Sequence, residues 1–169
     1  MSGYVLSCES TVDLTAEHLE RREIPYIRYS YGLDGAPYRD DLFKTVSSEA
    51  FYQAMEEGAE TKTSQINAAE YKEYFFGFLK AGKDVLHLCL SSSITGTINS
   101  ARAAAEALRE ACPERNICLA ASLAASSGFG LLADRRTDLK KPSGPSAVIQ
   151  GLEPRRCSSG AVPGRTEKA

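Results

Sequence analysis

The sequence predicts an α/β fold on a parallel sheet, and three observations carry that prediction. Apolar β-type runs recur with small, hydroxyl-rich turns directly after them: Tyr4-Val5-Leu6-Ser7-Cys8 before Glu9-Ser10-Thr11, residues 85–90 before 91–97, and Ile117-Cys118-Leu119-Ala120 before 122–130. Each turn leads into a segment with helical character. The alanine-rich stretch 101–111 lies between two of the strands, which defines a βαβ unit whose crossover is right-handed.

Taken in order, the first strand and its turn precede a helix over about residues 15–22, which starts acidic. Residues 24–31 are rich in β-branched and aromatic side chains and read as one strand, and Asp34-Gly35 before Pro37-Tyr38 supplies a hairpin turn. Ser47 or Ser48 caps a helix through Phe51 and Met55, which Gly58 ends. Lys62-Thr63-Ser64-Gln65 reads as a polar loop. Asn67-Ala68-Ala69-Glu70 fits a capping box that opens a helix through Tyr71, Tyr74, Phe75 and Phe78, and Gly82 closes it. The strand at 85–90, its turn and the helix through Ala111 follow, with Pro113 as the stop; Phe129-Gly130-Leu131-Leu132-Ala133 starts a last helix.

At 169 residues and 43% hydrophobic, the chain has material for one core and no room for a second domain of ordinary size. A net charge of −2 argues against nucleic acid or a membrane surface as a partner. No apolar run approaches a membrane span and no basic leader precedes the first strand, so a cytoplasmic protein is expected. Cys8, Cys89, Cys112, Cys118 and Cys157 form no C-x-x-C pair, and only His18 and His87 could complement them, so neither a metal site nor a cofactor is expected. His87 alternates with Leu86 and Leu88 inside a strand and His18 sits on a polar helix, which assigns both to structural roles. Asp40-Asp41 and Glu56-Glu57 read as solvated faces, leaving no catalytic constellation.

The turn Ser91-Ser92-Ser93-Ile94-Thr95-Gly96-Thr97 carries the ligand chemistry. Small side chains at Thr95, Gly96 and Thr97 stand where the next helix has N–H groups without intrahelical partners. Such a terminus attracts anions: the macrodipole contributes about 0.3–1 kcal/mol and each hydrogen bond to a charged group about 1.5–3 kcal/mol. A carboxylate or a phosphate is the natural ligand, and because the turn has no P-loop lysine and no G-x-G-x-x-G spacing, bulk phosphate binding is less favoured.

Glu9-Ser10-Thr11-Val12-Asp13-Leu14, Pro25 with Asp34-Gly35-Ala36-Pro37-Tyr38-Arg39-Asp40, Thr63-Ser64-Gln65, the run from Leu90 to Ala101, and Ala121-Ser122 through Gly128 and Gly130 occur in the order of the motifs of the DegV family of fatty-acid-binding proteins. The sequence resembles that family over roughly residues 3–134. The resemblance implies a Rossmann-like open parallel sheet with helices on both faces, whose loops hold the carboxylate of a long-chain fatty acid. It also implies a carrier, with no catalysis of its own, that presents the lipid to a separate fatty acid kinase. Carried over, the family's contacting hydroxyls fall on Thr63 and Thr95, with the N–H groups of Gly96 and Thr97 beside them and Ser64, Ser91 and Ser92 behind. Glu9 and Ala121 stand where the family has Asp, Ile66-Asn67 where proline commonly follows, and Thr95 where it has serine.

Beyond Asp134 the composition changes. Residues 135–169 hold four of the seven prolines and eight basic against three acidic residues, whereas residues 1–134 hold twelve basic and nineteen acidic. This divides the chain into an α/β domain at 1–134 and a Pro/Gly/Arg-rich tail at 135–169, expected to be disordered and to reflect a truncation or a shifted frame where the family has a second domain. Two other functions fit parts of the pattern: a sugar-phosphate-binding, isomerase-like domain, because Ser93 to Thr97 also resembles the loop of sugar isomerase domains, and a truncated fragment that binds nothing.

Overall fold

The computed structural model describes residues 3–138. Its central sheet has the order β2-β1-β6-β7, formed by β1 (Tyr4–Glu9), β2 (Tyr26–Ile27), β6 (Asp84–Cys89) and β7 (Ile117–Ala121). All three pairings are parallel, with Leu6 opposite Leu86 and Leu86 opposite Cys118. Strand alternation then divides the core between the two faces. Leu6, Cys8, Leu86 and Leu88 pack with Leu19 of α1 (Ala16–Arg21) and Phe129 of α5 (Ser126–Asp138), while Val85 and Cys89 pack with Tyr71 and Phe75 of α3 (Ala68–Lys80) and Ile98 and Ala101 of α4 (Thr97–Ala111). Helices therefore cover both faces of an open parallel sheet.

Side chains cap three of the helix starts. Thr15 accepts from the His18 N–H, and Ser47 from that of Ala50 at the start of α2 (Ser48–Glu56). The capping box is complete: Asn67 Oδ1 accepts the Glu70 N–H and Glu70 Oε2 accepts the Asn67 N–H, each at 3.0 Å. Asp34 and Gly35 both take positive φ, 50° and 78°, the two-residue turn that matches the twist of a hairpin. It joins β3 (Ser30–Leu33) to β4 (Ala36–Arg39), and β5 (Thr61–Ser64) pairs antiparallel on the other side of β3. Arg39 Nη2 ties this second sheet to α3 through Glu70 Oε1 at 2.6 Å.

Three boundaries differ from expectation. Residues 24–31 are two strands in two sheets, because at Tyr29 the N–H is taken by Ser10 Oγ (3.1 Å) and the carbonyl by the Asp40 N–H (2.8 Å), which lifts the chain out of the first ladder. Of residues 62–65 only Gln65 is loop: Lys62, Thr63 and Ser64 pair with Gly32, Tyr31 and Ser30, and their polarity reflects an exposed strand. Helix α5 runs from Ser126 to Asp138, past the expected end of the domain at 134, and buries Arg136. The expected disorder of the tail concerns residues 139–169, which lie outside the described residues.

Candidate functional site

The carboxyl ends of β1, β6 and β7 lead into three turns on one edge of the sheet, where open α/β sheets place their ligands. The middle turn joins β6 to α4. Ser91 is buried, its carbonyl accepts the N–H groups of Ile94 and Thr95, and its Oγ accepts that of Ser93 at 3.3 Å. Ser92 is exposed, Thr95 half-buried, and Gly96 is the exposed N-cap of α4. The expected side-chain cap is missing: Gly96 has none to offer, and α4 begins without a side-chain cap hydrogen bond. The Thr97 N–H is not free for a ligand either, since Thr95 Oγ1 accepts it at 3.3 Å.

Thr63 and Ser64 lie on the other sheet, exposed, opposite Tyr31 and Ser30. The link between that strand and the α4 turn is Gln65, whose Oε1 lies 3.6 Å from the point a Cβ on Gly96 would occupy. Ser91, Thr95 and Gly96 thus share one turn, whereas Thr63 and Ser64 lie on the strand that leads into Gln65.

Sequence reading missed what lies behind Thr95. Thr95 Oγ1 is 2.7 Å from Thr97 Oγ1, which accepts from Tyr29 Oη at 2.9 Å. Tyr29 Oη also lies 3.3 Å from Glu9 Oε2, which accepts the Leu90 N–H at 2.9 Å, while Glu9 Oε1 accepts from Tyr71 Oη at 2.6 Å. Glu9 and Thr97 are fully buried. Burial pushes the Glu9 carboxyl above its ordinary range against the pull of these donors, and raises the Tyr29 and Tyr71 hydroxyls as well. A signal was present in the sequence, since a carboxylate ending an apolar strand has to find donors once buried.

Both histidines do structural work. His87, fully buried among Tyr71, Tyr74 and Phe75, is pushed down to about 3 by desolvation and meets Ser7 Oγ through Nδ1 at 2.8 Å. His18 Nε2 contacts Asp134 Oδ1 at 2.7 Å, and Arg22 Nε the same oxygen at 2.8 Å, which clamps α1 to α5. Ligand atoms of Glu9, His87 and Cys89 fall within 4.8 Å of one another. Tyr71 Oη and the Leu90 N–H donate to the Glu9 oxygens, Ser7 Oγ meets His87 Nδ1, and burial raises the Cys89 thiol, so these three groups sit in a hydrogen-bonded part of the core.

Beside this network lies a cavity of about 660 Å³, lined by Leu14, Leu42, Phe43 and Leu90 together with Ser10, Ser126 and the carboxylates of Asp13, Glu17 and Asp40. That volume is in the range of small-molecule sites, about 300–1,000 Å³. Ser126 Oγ donates to Asp13 Oδ2 at 2.6 Å and joins two of the turns across the rim. Neither Thr63 nor Thr95 lines this space; Leu90 and Ser10, bonded to Glu9 and Tyr29, connect it to the hydroxyl network.

An open parallel sheet with its turns gathered at the carboxyl ends of the strands, beside a cavity, defines an α/β domain of the Rossmann-like kind. Comparison with known proteins agrees: residues 6–144 match the family model described as an uncharacterised protein of the DegV family. The chain belongs to the DegV family. A DegV domain-containing protein of Clostridium perfringens is 32% identical over 141 residues, which are 83% of this chain and 48% of that protein. A stearic acid-binding protein from Eubacterium ventriosum superposes with a TM-score of 0.78 at 26% identity over 88% of this chain and 52% of that one. A fatty-acid-binding DegV family protein from Thermus thermophilus does so with a TM-score of 0.75 at 28% identity over 89% and 52%. The chain therefore spans about half the length of the relatives it matches. The family match takes in the Asp34-Gly35 and Thr63 to Gln65 segments, for which a sugar isomerase loop has no use. Among the described residues, no helix is long and apolar enough to cross a membrane.

Proposed function

We propose that this chain binds a long-chain fatty acid as a carrier, holds its carboxylate at the start of α4, and presents it to a fatty acid kinase without catalysing a reaction itself. The observation that carries this reading is the start of α4, left without a side-chain cap, with the half-buried Thr95 hydroxyl at its mouth. Thr95 and Thr63 are the donors, Gly96 lets the anion approach the helix, and Ser64, Ser91 and Ser92 shape the surrounding turn. The acyl chain lies over Leu90, Leu14 and Phe43, where each buried CH₂ contributes about 0.8 kcal/mol. The fatty-acid-binding relatives support the ligand class.

Titration of the wild type, Thr63→Val and Thr95→Val with a fluorescent fatty acid tests the assignment. Each valine keeps the shape and removes a hydrogen bond to a charged group worth about 1.5–3 kcal/mol, so affinity falls roughly ten- to a hundredfold. Equal affinities in all three proteins would mean that the lipid adheres to exposed apolar surface and not to this site. Mass spectrometry of an organic extract of the purified protein separates the rivals, because a carrier retains acyl chains and a sugar-phosphate protein does not.

A further inference from the structure

Each hydroxyl in the chain Tyr29–Thr97–Thr95 has one proton to give, so the chain has a direction. In one arrangement Tyr29 donates to Thr97 Oγ1, Thr97 donates to Thr95 Oγ1, and the Thr95 proton is left pointing outward. In the other, Tyr29 donates to Glu9 Oε2, Thr97 donates to Tyr29 Oη, and Thr95 spends its proton on Thr97. Thr95 Oγ1 also accepts the Thr97 N–H, so in the second arrangement it has no donor for anything outside. If Tyr29 donates to Glu9 while Thr97 still donates to Thr95, the buried Thr97 oxygen is left without a donor, so only the first arrangement gives an anion a hydrogen bond and keeps Thr97 Oγ1 served.

We infer that Tyr29, held between Glu9 and Thr97, is the positioning residue that fixes this direction and turns the Thr95 hydroxyl proton toward a bound carboxylate. The inference rests on the reading of Thr95 as a carboxylate donor. The distances favour the outward arrangement: Tyr29 Oη is 2.9 Å from Thr97 Oγ1 and 3.3 Å from Glu9 Oε2. Glu9 has little need of the Tyr29 proton, because Tyr71 Oη at 2.6 Å and the Leu90 N–H at 2.9 Å already serve its two oxygens. Burial acts the same way, since a carboxyl pushed toward its neutral form is a weaker acceptor. The same contacts fix the ring, so that Tyr29 is held at its backbone by Ser10 and at its tip by Thr97.

The test uses the full chain as wild type, Tyr29→Phe and Glu9→Gln, each also combined with Thr95→Val. Two probes are titrated, a fluorescent long-chain fatty acid and, by displacement, the alcohol of equal chain length. Without the Tyr29 proton, Thr97 Oγ1 draws on Thr95, so Tyr29→Phe weakens the acid roughly tenfold or more. The alcohol is unaffected, because its hydroxyl can donate to Thr95 as readily as accept from it. The acid penalty vanishes in the Thr95→Val background. Glu9→Gln keeps the Tyr29 proton for Thr97, so its acid penalty is smaller than that of Tyr29→Phe. Unchanged acid affinity in Tyr29→Phe overturns the inference. So does a loss shared by acid and alcohol, which marks Tyr29 as a packing residue, or a loss that persists beside Thr95→Val, or a Glu9→Gln penalty as large as that of Tyr29→Phe. A wild type that fails to prefer the acid over the alcohol refutes instead the parent reading of Thr95, and this inference with it.

Discussion

The same substitution, glycine to alanine inside a helix, should change stability in opposite directions at two positions. Gly77 lies on the exposed side of α3, and a Cβ built there meets nothing within 4 Å. Gly77→Ala removes the entropy penalty of a mid-helix glycine and should stabilise the protein by about 0.5–1 kcal/mol. Gly130 lies in α5 where that helix crosses the turn after β1. A Cβ there would stand 2.7 Å from the Val12 carbonyl oxygen and 3.2 Å from both Cγ and Cδ2 of Leu14. The nearest atom is backbone and has no rotamer to turn away, so the helix must shift off a core that includes the fully buried Phe129 and Ala133. Overpacking of this kind costs about 1–3 kcal/mol, which exceeds or cancels the propensity gain. Urea denaturation of both variants measures the two midpoints, with an unchanged slope as the check that the unfolded state is the same. A gain in Gly130→Ala equal to that in Gly77→Ala would refute the close approach of α5 to the Val12 carbonyl.

Two further outcomes can be checked in the same way. Asn67→Ala breaks both halves of the capping box at the start of α3 and should lower stability by about 1 kcal/mol, read as an earlier urea midpoint; no change would mean that tertiary packing alone holds the end of that helix. Asp134 is held below the ordinary aspartate value of 3.8, first by its hydrogen bond with His18 and then by the charge of Arg22. A lowered carboxyl stabilises above its unfolded pKa and loses that contribution as pH falls through the folded one. Asp134→Asn should therefore be less stable than wild type at neutral pH, with the gap closing in acid below the ordinary aspartate range; a gap that widens in acid would contradict the clamp between α1 and α5.

Much of the fold was legible because it is written in local rules. Alternation in Val85 to Leu90 sends Leu86 and Leu88 to one face and Val85 and Cys89 to the other, and the structure uses both. Ser47 and Asn67 cap the helices that follow them, since a cap needs only a side chain and an N–H a few residues apart. The strand at residues 61–64 was illegible because an exposed edge built of Thr, Lys and Ser has no apolar period to reveal it. The break at Tyr29 was illegible for another reason: it depends on Ser10 and Asp40 arriving from elsewhere to take its backbone groups.

The candidate site divides along the same line. The sequence by itself determined the order of the turns, the hydroxyls at Thr63 and Thr95, and the glycine at the start of α4, because these follow from residue type and spacing along the chain. It also determined the family, whose motifs lie in order along the chain. Only the tertiary structure decided that Glu9 is buried and meets Tyr71 from 62 residues away and Leu90 from 81, and that Tyr29 meets Thr97 from 68. Those meetings depend on which strands are neighbours and in what register. A parallel sheet sets both through crossovers whose ends are far apart in sequence, so no window along the chain contains a buried carboxyl together with the hydroxyls it faces.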